Sequence, residues 1–174
     1  LAAADLSLLD HEAELALARL AQQDHLTGLL NRNEFSSRLT RAMALARRQG
    51  AKVGALYLDL DRFKRINDSF GHTAGDKLLR AVGERLALCV RLEDTVARIG
   101  GDEFAILVEG LRSENDARVV ADKLLHAFGQ SFEVEHREVH VTLSIGVSIY
   151  PRDGDSGPEL LRNADAAMYR AKDE

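Results

Sequence analysis

The order of helical and strand-like segments predicts an α+β fold, a ferredoxin-like antiparallel sheet of order β-α-β-β-α-β with helices on one face, preceded by an N-terminal helix. Two observations lead to this prediction. Leu56, Leu58 and Leu60 alternate with polar or aromatic residues, which is the period of a strand that turns one face to a core. Farther along the chain, Gly100 and Gly101 separate two apolar runs, as in a tight hairpin.

The N-terminal segment is predicted to be helical over residues 4–22. Its apolar residues recur every three or four positions, at Leu6, Leu9, Ala13, Ala16 and Leu20. This is the spacing of a coiled-coil seam, but two heptads are too few to exclude an ordinary amphipathic helix packed on the domain. The chain is therefore divided into a helical segment, residues 1–22, and one domain, residues 23–174.

Caps and periodicity predict the remaining elements. Asn31 and Glu34 have the spacing of a capping box, so a helix is predicted from there to about Arg48, with Gly50 ending it. The other predicted elements are a strand at 53–60, a short helix at 62–69, a long helix at 74–91, paired strands at 95–100 and 103–109, a helix at 114–128, strands at 131–135 and 138–149, and a last helix at 158–172.

Length and composition indicate a single globular domain. The 174 residues are 45% hydrophobic and 29% charged, and the net charge of −5 argues against a nucleic-acid-binding surface. No apolar stretch reaches the roughly 20 residues of a membrane helix, and no signal-peptide pattern opens the chain. A cytoplasmic fragment of a longer protein is expected, and that parent protein could itself be anchored in a membrane. Cys89, the single cysteine, fits the buried stripe of a helix.

Acidic residues stand at the end of the first strand and at the hairpin turn. Asp59 and Asp61 fall on one face of the strand, while Asp102 and Glu103 directly follow the two glycines. Acids beside a turn are often only solvated, but two such pairs offer the oxygen ligands that a hard cation such as Mg²⁺ prefers. Asp59 is the strongest metal candidate, whereas Asp61 precedes a helix and is expected to cap its first amides.

The start of that short helix is a candidate phosphate site. The backbone N–H groups of Arg62 and Phe63 would point outward at the positive end of the helix dipole, an arrangement that favours anions.

Together these motifs resemble the GGDEF family of bacterial diguanylate cyclases. The resemblance covers everything after about residue 22 and includes the segments DHLTGLLNR at 24–32, DLDRFKRINDSFGHTAGD at 59–76, RIGGDEF at 98–104, SIGVS at 144–148 and ADAAMYRAK at 164–172. It implies a fold similar to nucleotidyl cyclases and polymerase palms. It also implies condensation of two GTP into cyclic di-GMP and two pyrophosphates at the interface of a symmetric homodimer. In this family, N-terminal helices often connect an upstream sensor to the catalytic domain and dimerise.

The resemblance further implies a role for each candidate residue. Two Mg²⁺ or Mn²⁺ ions per active site would be held by Asp59, the backbone carbonyl of Leu60, Asp102 and Glu103. The last two would also serve catalysis, and their separate roles cannot be distinguished from sequence. Phosphates would meet the amides of Arg62 and Phe63 and the side chains of Lys64 and Lys172. Guanine would be read by Asn67 and Asp76, with His72 in the loop between them lining the base pocket.

Several of these residues have ordinary structural explanations as well. Asn67 lies at a plausible helix C-terminus and Asp76 in the first turn of a helix, while His72, Lys64 and Lys172 could simply be solvated.

Arg91 and Asp94 form an Arg-x-x-Asp pair, which in this family marks an inhibitory site for the cyclic product. An arginine can grip phosphate or stack on guanine, and an acid can read the guanine edge. An arginine in the last turn of a helix is also common as compensation of the helix dipole. His136 and His140 form no convincing zinc site, because no further ligand is suitably spaced.

Two other functions remain open at this point. The chain could be a sensor that binds GTP or cyclic di-GMP without turnover, or a ferredoxin-like interaction domain with surface acids. The retained acids and guanine-reading pair favour the cyclase.

Overall fold

The computed structural model describes residues 2–173, so residues 1 and 174 of the two predicted segments lie outside the described residues. The elements, in chain order, are α1 (Ala2–Gln22), α2 (Arg32–Gln49), β1 (Lys52–Leu60), α3 (Phe63–Phe70), α4 (His72–Cys89), β2 (Thr95–Gly100), β3 (Glu103–Leu111), α5 (Glu114–Ala127), β4 (Phe132–Val134), β5 (Arg137–Val139), β6 (Leu143–Tyr150) and α6 (Gly157–Lys172).

A four-stranded antiparallel sheet of order β2-β3-β1-β6 forms the centre of the domain, so the predicted α+β fold class is confirmed. The single strand predicted over 138–149 is wrong, because this stretch contains two strands. β5 pairs with β4 in a separate hairpin, and β6 joins the main sheet. Glu135 and His136 take the positive φ angles that a two-residue hairpin turn requires. This turn ends β4 and directs the chain into β5, which pairs with β4 rather than with the main sheet.

Helices cover both faces of the sheet, so the prediction of helices on one face is wrong. Leu56, Leu58 and Leu60 belong to a core shared with α4 and α5. The opposite face carries a second core with α2 and α6, in which Ala55 and Ala105 are fully buried. These small side chains allow helices to approach the second face closely, a feature that the alternation of leucines does not reveal.

Helix α1 stands apart from both cores. Every side chain described from residue 4 to residue 22 is exposed, with Leu6 at 62% and Leu20 at 56% of full exposure. The alternative of an amphipathic helix packed on the domain is therefore wrong, and the coiled-coil interpretation remains a prediction. Asn31 links the end of α1 to the domain by donating its side-chain amide to the carbonyl of Ala21 over 2.8 Å.

The predicted N-cap and C-cap of α2 are confirmed, but the second bond of the capping box is not formed, because the backbone N–H of Asn31 donates to the carbonyl of Gln22 and the Glu34 carboxylate pairs with Arg38. The Asn31 side chain accepts a hydrogen bond from the backbone N–H of Glu34 at 3.0 Å, and Gly50 ends the helix in the left-handed conformation. Cys89 is buried at the end of α4, as the sequence predicted. None of the described helices combines the length and the hydrophobicity needed to cross a membrane.

Candidate active site

Three acidic residues, Asp59, Asp102 and Glu103, lie where β1 ends beside the β2–β3 turn. Asp59, the last residue but one of β1, pairs directly with Glu103 at the start of β3. Directly paired residues of antiparallel strands project from the same face, so both side chains lie on one side of the sheet. The backbone N–H of Leu60 donates to the carbonyl of Asp102 over 3.2 Å, which ties the turn to the end of β1.

The electrostatics of this cluster are unbalanced. Asp59 is 8% exposed, its Oδ1 has no hydrogen-bond partner among the described residues, and its Oδ2 pairs with the ammonium of Lys172. Burial, and next the charge of Asp59, raise the pKa of Asp102 to about 6. One lysine therefore offsets only part of the negative charge that these acids carry at neutral pH.

The carboxylate oxygens at this site are the type of ligand that Mg²⁺ prefers. The described residues nevertheless contain no group of three or more acidic, histidine or cysteine side chains arranged to hold a metal. Oε2 of Glu103 accepts a hydrogen bond of 2.7 Å from the hydroxyl of Tyr57, and its Oε1 has no hydrogen-bond partner among the described residues. Mg²⁺ commonly binds one or two carboxylates together with substrate phosphates, so a complete protein cage is not required. Asp59 and Asp102, with one buried oxygen unpartnered, fit such an ion once the Lys172 ammonium moves aside.

Arg62 rather than Asp61 is the N-cap residue of α3, and the Asp61 carboxylate binds elsewhere, so the capping role predicted for Asp61 is wrong. Asp61 instead accepts hydrogen bonds from the hydroxyls of Thr142 at 2.5 Å and Ser144 at 2.6 Å. Arg62 occupies the N-cap position with a φ of 59°, and no side chain of the described residues caps the first amides of α3. These amides include that of Phe63, the first helical residue, and they remain suited to an anion.

Beside the start of α3 lies an open cavity of about 740 Å³. Its polar lining includes two predicted phosphate contacts, Arg62 and Lys172, together with Arg65 and His140. Lys172 is engaged by Asp59, whereas Lys64 is exposed on α3. Arg62, Arg65 and Lys172 thus line one cavity beside the start of α3, and Lys172 connects it to Asp59.

The predicted guanine-reading residues lie on two adjacent helices. Asn67, on α3, has a buried side-chain oxygen without a partner among the described residues, and its backbone carbonyl accepts from Gly71 near the helix end. A Cβ at Gly75 would stand 1.8 Å from that oxygen, so glycine makes room for the amide.

Asp76 is exposed on α4. Because α4 begins at His72, the placement of His72 in a loop and of Asp76 in the first helical turn is wrong.

Comparison with known proteins gives the family. The family model described as "Diguanylate cyclase, GGDEF domain" matches residues 21–174. The chain belongs to the GGDEF domain family. The family predicted from sequence is thereby confirmed.

Curated relatives include two larger signalling proteins. The bifunctional diguanylate cyclase/cyclic di-GMP phosphodiesterase MucR of Pseudomonas aeruginosa is 45% identical over 162 residues, 93% of this chain and 24% of that protein. The response regulator PleD of Caulobacter vibrioides is 41% identical over 166 residues, 94% of this chain and 36% of that protein. The chain spans about a quarter to a third of the length of these relatives.

Solved structures agree with the fold. The GGDEF domain of TpbB from Pseudomonas aeruginosa has a TM-score of 0.83 at 40% identity, covering 84% of this chain and 92% of that one. The coiled coil and GGDEF domain of DgcB from Caulobacter crescentus, in complex with cyclic di-GMP, has a TM-score of 0.88 at 28% identity, covering 99% of this chain and 91% of that one.

Arg98 holds the glycine turn of this GGDEF domain, and its sequence motif alone did not predict this role. Arg98 donates from Nε and Nη2 to the carbonyl of Gly101 over 3.0 and 2.8 Å, and from Nη1 to Asp24 over 2.9 Å. Burial raises the pKa of Asp24, but hydrogen bonds from Thr27 and the charge of Arg98 outweigh this effect and lower it overall. Both residues lie in segments that resemble the family, yet 74 positions separate them, so no local pattern connects them.

The Arg91–Asp94 pair of the GGDEF domain lies at the other end of β2. Arg91 was predicted in the last turn of a helix, which is wrong, because α4 ends at Cys89. Its backbone N–H and its Nε lie 3.1 and 3.5 Å from one Asp94 oxygen, and its Nη2 donates to the carbonyl of Glu109 over 3.0 Å. The Asp94 side chain is 1% exposed, and its Oδ1 has no partner among the described residues. An open groove of about 1040 Å³ runs beside Asp94.

Proposed function

We propose that this GGDEF domain is a diguanylate cyclase that condenses two GTP molecules into cyclic di-GMP with release of two pyrophosphates. The cluster of Asp59, Asp102 and Glu103 carries this proposal. Its negative charge is offset only in part by Lys172, which favours binding of divalent cations with a triphosphate. Because GTP is a cytoplasmic nucleotide, the reaction would take place in the cytoplasm.

Two Mg²⁺ or Mn²⁺ ions per active site, when bound, would neutralise the triphosphate and make the attacking hydroxyl more acidic. Asp59, the carbonyl of Leu60, Asp102 and Glu103 would hold them. Lys172, released from Asp59, would then face the phosphates, where its positive charge is needed.

Substrate contacts follow the two helices beside the acids. The amides of Arg62 and Phe63 at the uncapped start of α3 would bind phosphate oxygens, aided by Lys64. The buried, unpartnered amide oxygen of Asn67 would accept from the N1/N2 edge of guanine, and its NH₂ group would donate to O6. Asp76 would accept from the same N–H groups, with His72 lining the pocket.

The reaction requires two subunits, since one site offers a single hydroxyl and a single α phosphate. A symmetric homodimer would bring two loaded sites face to face. The exposed leucines of α1 support a role for that helix as a dimerising link to an upstream sensor, because burying them against a second copy would stabilise the pair.

Product inhibition is proposed at the Arg91–Asp94 pair. The guanidinium of Arg91 would grip phosphate or stack on guanine, and the unpartnered oxygen of Asp94 would accept from the guanine edge. The complex of DgcB with cyclic di-GMP supports this class of ligand.

The decisive experiment mixes the concentrated protein with GTP and Mg²⁺ and analyses the products by chromatography. We expect cyclic di-GMP, formed at a rate per subunit that rises with protein concentration until the dimer is saturated. Binding of GTP without any product would indicate a nucleotide sensor instead. No binding and no nucleotide-dependent thermal shift would leave only an interaction domain.

A further inference from the structure

Tyr57 holds the side chain of Glu103, but neither the glycine-turn motif nor the proposed mechanism gives Tyr57 a role. The hydroxyl of Tyr57 donates to Glu103 Oε2 over 2.7 Å, and it is the only hydrogen-bond partner of this carboxylate among residues 2–173. Tyr57 lies on β1, two positions before Asp59, so both side chains project from the same face of the sheet. Since Asp59 pairs with Glu103, Tyr57 reaches Glu103 diagonally across the strand pair.

The ring of Tyr57 is fixed by its surroundings. The side chain is 7% exposed and packs with Ala164 and Met168 of α6. Gly146 pairs with Tyr57 on the neighbouring strand, and a Cβ there would stand 1.9 Å from the backbone oxygen of Ala164. The absence of a side chain at Gly146 therefore brings α6 directly onto the sheet and against the tyrosine.

A fixed phenol restricts a flexible acid. A glutamate side chain has three rotatable bonds, and holding one oxygen in place removes most of that freedom before any ligand arrives. With Oε2 accepting from the tyrosine, Oε1 is the oxygen left to face a cation or an attacking hydroxyl. Partners that orient a metal-binding carboxylate contribute to affinity and rate without touching the metal themselves.

We propose that Tyr57 is a positioning residue that presents Oε1 of Glu103 to the metal–nucleotide complex. This inference rests on the proposed function, in which Glu103 binds metal or activates the hydroxyl. It adds a residue outside the glycine-turn motif to those that support catalysis. It also predicts that the hydroxyl of Tyr57 contributes to metal binding and turnover independently of its ring.

The test compares Tyr57→Phe with Tyr150→Phe. Both tyrosines are buried in the same sheet, with Tyr150 6% exposed on β6. The hydroxyl of Tyr150 accepts a hydrogen bond from Arg47 over 3.4 Å, and none of its hydrogen-bond partners among the described residues is an acid. Each substitution removes one hydroxyl and keeps the ring packing, so both variants should fold and lose similar, small amounts of thermal stability.

The first readout is metal binding without turnover. Mn²⁺ affinity is measured by electron paramagnetic resonance in the presence of a GTP analogue with a methylene bridge between its α and β phosphates, which cannot release pyrophosphate. We expect Tyr57→Phe to weaken Mn²⁺ binding about tenfold, within the range for partners of metal ligands, and Tyr150→Phe to leave it unchanged. Equal affinities in the wild type and in Tyr57→Phe would overturn the proposal.

The second readout is the division of the effect between kcat and KM at saturating Mg²⁺. A loss of orientation at Glu103 should lower kcat about tenfold and change the KM for GTP by less than about twofold, because guanine and phosphate contacts are intact. A rise in KM with unchanged kcat would contradict positioning. If the wild type forms no cyclic di-GMP, the proposed function fails, and the Mn²⁺ comparison still decides the role of Tyr57.

Discussion

Asp59 and Asp94 each have one buried side-chain oxygen that lacks a partner among the described residues, but their surroundings differ in charge. Asp59 lies among acids and has one lysine as counter-ion. Asp94 lies against the guanidinium and the backbone of Arg91. The first site places three acids beside one lysine, whereas at the second site the guanidinium of Arg91 lies 3.5 Å from Asp94 and 3.3 Å from the exposed Glu93. A buried oxygen attracts a cation in the first case and a neutral hydrogen-bond donor in the second.

The two sites are also held differently. They lie near opposite ends of β2, whose six residues span about 20 Å. The glycine turn is fixed from outside by Arg98 and Asp24, so crowded acids stay close although they repel each other. The Arg91–Asp94 turn is held by contacts of Arg91 with Asp94, with the neighbouring Glu93 and with the carbonyl of Glu109 on β3. Removing a charge should therefore have opposite effects on folding at the two sites.

The largest effect is expected for Asp102→Ala. Removing this carboxylate should reduce turnover by at least about a hundredfold, because charge at the transferring phosphate would no longer be neutralised by a correctly held cation. Turnover is measured as cyclic di-GMP formed at saturating GTP and Mg²⁺. Asp122→Ala, which removes an exposed acid on α5, provides the control and should be fully active. More than a few per cent of residual activity in Asp102→Ala would refute the metal assignment.

This contrast shows which parts of the molecule the sequence can predict. The β1 strand, the glycine hairpin and the acids beside them depend on neighbouring residues, and each was predicted from local periodicity or turn chemistry. The partner of Asp61, the contact of Tyr57 with Glu103 and the Arg98–Asp24 clamp join residues 46 to 83 positions apart. Such contacts depend on strand register and on helix packing over the second face of the sheet, and a pattern of alternating leucines specifies neither.

A smaller effect is expected for Arg91→Ala, which tests the site formed by Arg91 and Asp94. Without the guanidinium, cyclic di-GMP should inhibit about tenfold more weakly, since a charge-assisted contact with phosphate or guanine is lost. Inhibition is measured as the product concentration that halves the initial rate. Arg80→Ala is the matched control, because Arg80 also donates to a backbone carbonyl, that of Leu26, but lies on α4, away from the Arg91–Asp94 pair. An unchanged inhibition curve for Arg91→Ala would exclude this site.

The smallest effect is expected for the stability of the metal-free domain, and it tests the cost of holding the Asp102 carboxylate partly buried beside Asp59. Because the pKa of Asp102 is raised from 3.8 to about 6, the folded state binds more protons than the unfolded state between these values. The free energy of unfolding contributed by this group therefore falls as the pH rises from 3.8 to about 6, and the full penalty is present at pH 7.

Asp102→Asn should remove that penalty and stabilise the metal-free domain at pH 7 by roughly 1 kcal/mol, a value reduced for solvent screening of a partly exposed group. The free energy of unfolding is measured by urea denaturation in EDTA at pH 5 and at pH 7. At each pH the value for the variant is subtracted from that for the wild type, and the two differences are then compared. This comparison cancels the contribution of other titrating groups. Adding Mg²⁺ at pH 7 should stabilise the wild type and leave the variant nearly unchanged, because the amide is a weaker ligand. If the variant is the less stable protein at pH 7, the acids at the turn are already balanced, and the contrast with Asp94 does not hold.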